Sequence, residues 1–328
     1  MKKEKEKKIK KTKKRRVHPF IKGFLGCILV AVVLIGGASL VLGASLHSKM
    51  NYKEIESVSK EPLKEDGVKN ILLIGNDSRS EDESGRSDAM ILVSISSKTN
   101  SIHMTSILRD IYVDIPGHDG NRLNAAYSFG GPELLMETLE ENFDIEVNRY
   151  MLVNFQAFAN LVDAVDGVDI DVTNEEVQYI NGYLVEYNQL EGRPEGTDYL
   201  DTSLSGNLHL NGPQALAFCR NRYIGTDFAR TERQRKVLTA IIKKAPMAML
   251  TNGGELMDAF ASNVTTNLTQ SEISGLMLQA PGMLTSDLVQ ASIPLDGTYS
   301  NATIRGMAVL EVDFEANKEY IQTEIYGK

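Results

Sequence analysis

Five arginines and one lysine crowd around Asp227 in the stretch AFCRNRYIGTDFARTERQRK. Arg220 and Arg222 are two residues apart and share one side if the backbone there is extended. Arg230 and Gln234 are four residues apart and share one face near the N-terminal end of a predicted helix, which favours an anion. Planar guanidinium groups bind phosphate oxygens through two parallel hydrogen bonds. The cluster therefore predicts a site for a small, highly charged anion.

An ordinary surface helix is the competing interpretation of this stretch. Glu232 and Lys236, four residues apart, would form one of its ion pairs. This interpretation accounts for Arg233 and Arg235, which we expect to face solvent together with Lys236. It does not account for the two arginines that follow the apolar AFC with no acid beside them.

Asp77 and Asp88 lie beside two predicted strands, KNILLIGN and DAMILVSISS. If these strands are antiparallel neighbours, both carboxylates lie at the same edge of the sheet, where they repel each other unless a cation or a proton lies between them. Oxygen ligands suit Mg²⁺, or Mn²⁺ in its place, together with substrate phosphates. In the alternative interpretation Asp77 caps a turn and Asp88 is solvated.

Arg109 directly follows a third apolar strand, NSIHMTSIL. It could pair on the surface with Asp110 or Asp114, or it could join the anion site. Taken together, the arginines and the carboxylate pair describe a pocket for a diphosphate with one divalent metal. Among the motifs that would indicate other chemistry, the sequence contains no P-loop, HExxH or Cys/His metal cluster.

The charge distribution argues for a local site of this kind. Residues 1–22 carry twelve Lys/Arg and two Glu, a net charge of +10, whereas the whole chain carries −9. Residues 23–328 therefore carry −19, which excludes a general polyanion-binding surface, and we expect no nucleic-acid partner. A hydrophobic content of 42% is typical of a globular domain with a core.

The run of residues 23–46 has no charged side chain and predicts a single membrane span, because a helix of this length reaches about 36 Å. The basic segment before it is expected in the cytoplasm, so the C-terminal domain would be extracellular. A cleaved signal peptide is the alternative. The predicted organisation is a basic tail at 1–22, a signal anchor at 23–46, a stalk at 47–68 and a catalytic domain at 69–328.

Strands and helices mix without strict alternation along the domain. The pattern predicts one α/β (mixed α+β) domain with a central mixed sheet and helices on both faces. Residues 173–208 are polar and are predicted to form an excursion over the surface. Further strands are expected at 150–155, 167–172 and 288–295, and helices at 131–143, 156–165, 211–220, 226–245, 254–262, 270–279 and 314–327.

Six segments in order, GNDSR, RSDAM, SILRD, NRLNAAYSFGG, LNGPQALAFCRNRY and TDFARTERQRK, make the chain resemble the LytR–CpsA–Psr family of bacterial cell-wall proteins. The resemblance implies a phosphotransferase. Its donor would be an anionic glycopolymer, such as teichoic acid or capsule, on undecaprenyl diphosphate. Its acceptor would be the muramic acid 6-hydroxyl of peptidoglycan. Two positions depart from the family pattern, Leu108 in place of a proline and Asp166 in place of a glycine.

The resemblance also implies roles for the site residues. Asp77 and Asp88 would bind the metal, and Asp88 or Asp77 is a candidate base for the acceptor hydroxyl. Asp227 would orient the arginines, and a direct catalytic part for it stays open, as for Asp88 and Arg109. The diphosphate would be bound by Arg109, Arg220, Arg222, Arg230 and Gln234, with support from Arg86 and Arg79.

Two other functions fit the same residues. A polyprenyl diphosphate phosphatase would use water as the acceptor and would need no peptidoglycan. A non-catalytic envelope regulator would bind the lipid diphosphate without turnover. The carboxylate pair argues against the regulator, because binding alone does not require a metal.

Overall fold

The apolar runs of the sequence form the strands of one central sheet in the computed structural model, which describes residues 39–55, 64–65, 67–76, 87–261, 264–283 and 286–328. The strands are β1 (Asn51–Tyr52), β2 (Lys64–Glu65), β3 (Val68–Asn76), β4 (Ser87–Ser96), β5 (Ser101–Ile107), β6 (Tyr112–Val113), β7 (Asn121–Arg122), β8 (Tyr150–Asn154), β9 (Val168–Val172), β10 (Gly206–Leu210), β11 (Val264–Thr266), β12 (Asp287–Ile293), β13 (Tyr299–Ile304) and β14 (Met307–Val312).

The helices lie between and beside these strands. They are α1 (Ser39–Lys49), α2 (Leu123–Phe143), α3 (Phe155–Ala164), α4 (Asn174–Leu190), α5 (Gly212–Arg220), α6 (Asp227–Ala261), α7 (Gln270–Met283) and α8 (Phe314–Tyr320), and a π-helical turn at Ile321–Ile325 extends α8.

The central sheet has the order β1-β11-β8-β3-β4-β5-β12, with β2 paired to β3. The pairs β1–β11, β3–β8 and β5–β12 are parallel, and the pairs β3–β4, β4–β5 and β8–β11 are antiparallel. The predicted mixed sheet is therefore confirmed. The antiparallel pairing of β3 with β4, on which the placement of Asp77 and Asp88 depended, is also confirmed.

Both faces of the sheet are covered, as its central strand shows. In β3, Ile71 and Leu73 pack into one apolar cluster and Leu72 and Ile74 into the other. The first cluster joins the sheet to α1, α3, α4, α5, α6 and α7, and the second joins it to α2, α8 and the β13–β14 hairpin. The prediction of helices on both faces is confirmed.

The predicted surface excursion at 173–208 is wrong in its first half. Residues 174–190 form α4, which begins with a capping box between Thr173 and Glu176. Val177, Ile180 and Leu184 are fully buried along one side of this helix. Their spacing of three and four residues is helical, but it is hidden among polar residues that occupy the outer face.

The N-terminal part of the described chain also belongs to the domain. Residues 39–46 of the predicted membrane span are the start of α1, and residues 23–38 lie outside the described residues. The predicted stalk at 47–68 is wrong at its start, since Asn51 and Tyr52 form β1, which pairs with β11. No helix in the described part of the chain is both long enough and apolar enough to span a bilayer.

Candidate active site

The polar segments singled out from the sequence meet at one edge of the central sheet. Asn76 at the end of β3 pairs with Asn154 at the end of β8, and also with Ser87 at the start of β4. Ile107 at the end of β5 pairs with Ile293 at the end of β12. Loops that follow strand ends at a common edge are where ligand crevices form.

Asp88 lies at this edge, in a β-bulge. Gly75 pairs with Ala89 and Asn76 pairs with Ser87, so Asp88 is the extra residue of β4 at this point. Bulges re-aim side chains and are common beside active sites. The candidate ligands and supporting residues Asp77, Arg79 and Arg86 lie outside the described residues.

Arg109 and Arg230 share the carboxylate of Asp227, although 118 positions separate Arg109 from Asp227 along the chain. Arg230 Nη2 lies 3.0 Å from Asp227 Oδ1, and Arg109 Nε lies 3.8 Å from the same oxygen. Arg109 Nε also lies 3.6 Å from Asp110, whose other oxygen lies 3.6 Å from Arg122 Nε. Three guanidinium groups thus surround two carboxylates.

Asp227 is the first residue of α6 and is largely buried beneath these arginines. Burial raises the pKa of its carboxyl above the usual 3.8. Arg230 and Arg109 act to lower this pKa, but they do not reverse the effect of burial. The carboxyl of Asp227, which pairs with both arginines, therefore has a higher proton affinity than that of an ordinary aspartate.

Arg220 reaches the same edge at the end of α5. Its guanidinium carbon lies 4.5 Å from the ring centroid of Phe155, the first residue of α3 after β8, and 5.3 Å from that of Tyr183. The hydroxyl of Tyr183 donates a hydrogen bond to the carbonyl of Arg220 at 2.8 Å. The two rings hold the guanidinium in place without neutralising its charge.

Arg222 follows Arg220 by two residues and is within electrostatic reach of both Tyr183 and Asp227. Its side chain is exposed, and its positive charge acts to lower the pKa both of Tyr183, beside Arg220, and of Asp227. In each case burial acts more strongly and raises the pKa. Among the arginines predicted to bind the diphosphate, the described ones, Arg109, Arg220, Arg222 and Arg230, thus lie near the same edge of the sheet. Gln234 lies half-buried one turn beyond Arg230.

Arg233 is buried, and the prediction that it faces solvent is wrong. Its guanidinium donates to Glu176 Oε1 at 2.8 Å, to the carbonyl of Asn221 at 3.1 Å and to the carbonyl of Ile224 at 2.7 Å. These bonds fasten the loop between α5 and α6, which carries Arg222, to the N-terminal end of α4. We call Arg233, Glu176 and the two carbonyls the loop clamp.

Arg235 was also predicted to face solvent, and this prediction is wrong as well. Its Nη1 donates to Ser106 Oγ of β5 and to Ser292 Oγ of β12, both at 2.9 Å, which ties α6 across the sheet. Lys236 is exposed and lies 3.3 Å from Glu232, as predicted.

A concave region lies apart from the arginines, between α3, α4 and α5. It has a volume of about 340 Å³, and its lining includes Asp163, Glu191, Arg193 and Asp198. Asp198 pairs with Arg193, and Asp163 accepts the N–H of Gly212. Because acids outnumber the single arginine, this region does not suit an anion.

A model of the LytR_cpsA_psr family matches residues 40–324, which contain all of these features. The chain belongs to the LytR–CpsA–Psr family. A Bacillus mycoides protein named polyisoprenyl-teichoic acid–peptidoglycan teichoic acid transferase TagU is 34% identical over 302 residues, covering 87% of this chain and 89% of its own.

Solved structures of other family members have the same fold. "TagT bound to LI-WTA" superposes with a TM-score of 0.64 at 27% identity, covering 84% of this chain and 99% of that one. TagT "with bound octaprenyl pyrophosphate lipid" superposes with a TM-score of 0.59 at 26% identity over the same shares.

The predicted metal ligands of this family member are not tested by the described geometry. Asp77 is not among the described residues, and only the backbone of Asp88 is described. Within the described parts of the chain, no group of three or more His, Cys, Asp or Glu side chains is placed to hold a metal. Asp110 and Asp227, the carboxylates nearby, are engaged by arginines.

Sequence reasoning on this LytR–CpsA–Psr protein missed the loop clamp. Glu176 and Arg233 lie 57 residues apart, and Glu176 was assigned to a surface excursion. One signal could have found it, because Thr173 and Glu176 have the spacing of a capping box. Recognising the helix would have placed a buried acid opposite the arginine-rich segment.

Proposed function

We propose that this protein is a phosphotransferase that moves an anionic glycopolymer from a polyprenyl diphosphate to the muramic acid of peptidoglycan. The observation that carries the proposal is that, among the described residues at one sheet edge, guanidinium groups outnumber carboxylates, in a domain with a strongly negative balance. The relatives named as teichoic acid transferases, and the relative with bound octaprenyl pyrophosphate, support it.

The arginines would act on the charge of the phosphoryl group. In the proposed reaction the acceptor hydroxyl oxygen attacks the phosphorus bonded to the sugar. The bond from that phosphorus to the bridging oxygen breaks, and polyprenyl phosphate leaves. Negative charge rises on the phosphoryl oxygens in the transition state, and preorganised cations stabilise it. Arg109 and Arg230 are preorganised by Asp227, and Arg220 by the rings of Phe155 and Tyr183.

The proton of the acceptor hydroxyl must pass to a base. Asp88 and Asp77 are our candidates, and the bulge of β4 supports Asp88 because it brings this residue to the reacting edge. Asp227 is a further carboxylate at the edge, beside Asp110. Two arginines engage it, which favours its role as their organiser.

A bound Mg²⁺ or Mn²⁺ would be held by Asp77 and Asp88 and would neutralise phosphate charge. What supports this proposal is chain position, since the two aspartates flank the paired ends of β3 and β4. Asp77→Ala is expected to raise the concentration of added Mg²⁺ that half-maximal turnover requires. An unchanged Mg²⁺ dependence in this variant would contradict the assignment.

The proposed reaction requires the domain to lie outside the cytoplasmic membrane, where peptidoglycan is found. The uncharged run at 23–46 and the basic residues before it support a single anchor with this orientation. Protease treatment of intact cells is expected to remove the domain. Cleavage only after lysis would contradict the orientation.

Transfer of the glycopolymer can be measured with the purified full chain in detergent, a lipid diphosphate-linked glycopolymer and peptidoglycan. Arg220→Ala is expected to lower the rate about 100-fold, the usual effect of removing one preorganised donor. Arg305→Ala is the matched control, because Arg305 is an exposed arginine paired with Asp119. Unchanged transfer in Arg220→Ala would contradict the proposal.

The same assay separates the other two functions. Hydrolysis of the lipid diphosphate in the absence of peptidoglycan would indicate a phosphatase. Lipid binding without turnover in either condition would indicate a regulator. Transfer that requires peptidoglycan is the outcome that the proposal predicts.

A further inference from the structure

Tyr223 is an exposed aromatic residue that directly follows Arg222. It is 73% exposed, although its ring is held in a fixed stack. The ring lies 5.3 Å from that of Tyr179 with an interplanar angle of 12°, and 6.5 Å from that of Tyr183. A parallel stack covers one face of the Tyr223 ring and leaves the other face open to solvent.

The backbone around this ring is fastened. Asn221 Oδ1 accepts the N–H groups of Tyr223 at 3.0 Å and of Ile224 at 3.3 Å. The loop clamp holds the carbonyls of Asn221 and Ile224 through Arg233. The ring is therefore preorganised, and a ligand that packs on it need not first order a flexible loop.

The ring is continuous with the anion site. Tyr183 is in contact with the guanidinium of Arg220 and lies beside Tyr223. A phosphate bound by Arg220 and Arg222 would thus carry its substituent close to the side chain of Tyr223. In the proposed donor, that substituent is a sugar.

We propose that Tyr223, supported by Tyr179, forms a saccharide subsite for the pyranose bonded to the diphosphate. The C–H face of a pyranose is apolar and packs on an aromatic face, while its hydroxyl groups stay in water. The polar surroundings fit this occupant, because Arg222, Gly225 and Thr226 beside the ring are all exposed. A polyprenyl chain would require a continuous apolar wall instead.

The inference rests on the proposed function, and its test compares two lipids with the same polyprenyl chain. One carries a diphosphate with a disaccharide, and the other carries the bare diphosphate. Binding of each lipid to the full chain in detergent is measured for wild type, Tyr223→Ala and Tyr223→Phe. Tyr199→Ala, which removes another exposed tyrosine, is the control.

Tyr223→Ala is expected to weaken binding of the disaccharide lipid about tenfold, the scale of one aromatic contact. Binding of the bare diphosphate should change less than about twofold, since the arginines remain. Tyr223→Phe, which keeps the ring face, and Tyr199→Ala should bind both lipids as wild type does.

Four other outcomes of these measurements would each contradict the inference or the function on which it rests. An equal loss for both lipids would mean that the ring only positions the arginines, and no loss for the disaccharide lipid would mean that the ring does not contact the donor sugar. Either result overturns the inference. If Tyr223→Ala instead raises the KM for peptidoglycan alone, the saccharide is that of the acceptor and the assignment to the donor is overturned. Failure of wild type to bind either lipid would overturn the proposed function as well.

Discussion

Arg230 and Arg233 lie three residues apart on α6 and are both buried, yet their surroundings differ. Arg233 is matched by Glu176 and two backbone carbonyls, so its charge and its donors are satisfied by the protein. Within the described part of the chain, Arg230 and Arg109 both pair with the carboxylate of Asp227. We therefore expect the charge around each arginine, rather than its burial, to separate the structural role of Arg233 from the proposed anion-binding role of Arg230.

Glu176 and Asp227, the acids that pair with Arg233 and Arg230, also differ from each other. Burial acts to raise the pKa of Glu176, but hydrogen bonds from Thr173 and Arg233 outweigh it and the pKa lies below its usual 4.5. Burial raises the pKa of Asp227, and its arginines do not overcome it. Hydrogen bonds thus outweigh burial at Glu176 and lower its pKa, whereas burial outweighs the arginines at Asp227 and its pKa is raised.

The largest expected effect is on stability, from breaking the loop clamp. Glu176→Gln leaves the buried charge of Arg233 without its acid, and the free energy of unfolding should fall by about 3 kcal/mol. Denaturation by urea at neutral pH measures the loss. Glu232→Gln is the control, because Glu232 forms an exposed pair with Lys236 whose loss should cost less than about 1 kcal/mol. Equal losses in both variants would contradict the comparison.

The second-largest expected effect is on catalysis and concerns Arg230. Arg230→Lys keeps the positive charge but loses the planar fork, and the transfer rate should fall about 100-fold. Arg233→Lys should instead lower the melting temperature and leave transfer by the folded protein within about tenfold of wild type, because it acts only through the loop. Single-turnover transfer well below each variant's melting temperature separates the two. A comparable rate loss in both variants would remove the distinction between them.

The smallest effect is on proton affinity. Carboxyl NMR titration should place the pKa of Asp227 above 3.8 and that of Glu176 below 4.5. Arg109→Gln should raise the pKa of Asp227 further, because the charge of Arg109 lowers it. The pKa of Glu176 serves as the internal control and should not move. A value for Asp227 at or below 3.8 would contradict the account of its burial.

The pKa shifts of Asp227 and Glu176 make the folding stability depend on pH in opposite directions. Folded Asp227 binds its proton more tightly than the unfolded chain does, so its contribution falls as pH rises from about 3.8 through its folded pKa. Folded Glu176 binds its proton more weakly, so its contribution is complete above about 4.5 and is lost as pH falls through its folded pKa. Asp227→Asn and Glu176→Gln should each remove one of these slopes.

The sequence predicted the longer strands of the central sheet, β3, β4, β5, β8 and β12, because runs such as NILLI and MILV are apolar on both faces and end at clear turn signals. It predicted the edge where the arginines meet for the same reason, since the polar segments follow the strand ends. It could not predict that Arg109 contacts Asp227, because that contact depends on the pairing of distant elements. The resemblance to a family grouped those residues before any contact was known.

The wrong predictions for Arg233 and Arg235 have a different cause. Arg233 and Arg235 look like surface residues because their partners are remote in the sequence: Glu176 on α4, and Ser106 and Ser292 on two strands. A local pattern contains no information about such partners. The short strands β1 and β11 were missed because two or three residues give no periodicity, and they form only by pairing within the completed sheet.

The docking of α1 has a mechanical consequence. A side chain at Gly43 would collide with Ser274 of α7, so the two helices are in close contact. Helix α7 is joined in turn through Glu272 to Arg149, whose guanidinium is almost fully buried just before β8. At the far end of β8, Phe155 supports Arg220. Helix α1 is thus connected mechanically, through α7, Arg149 and β8, to the edge of the sheet that carries Arg220.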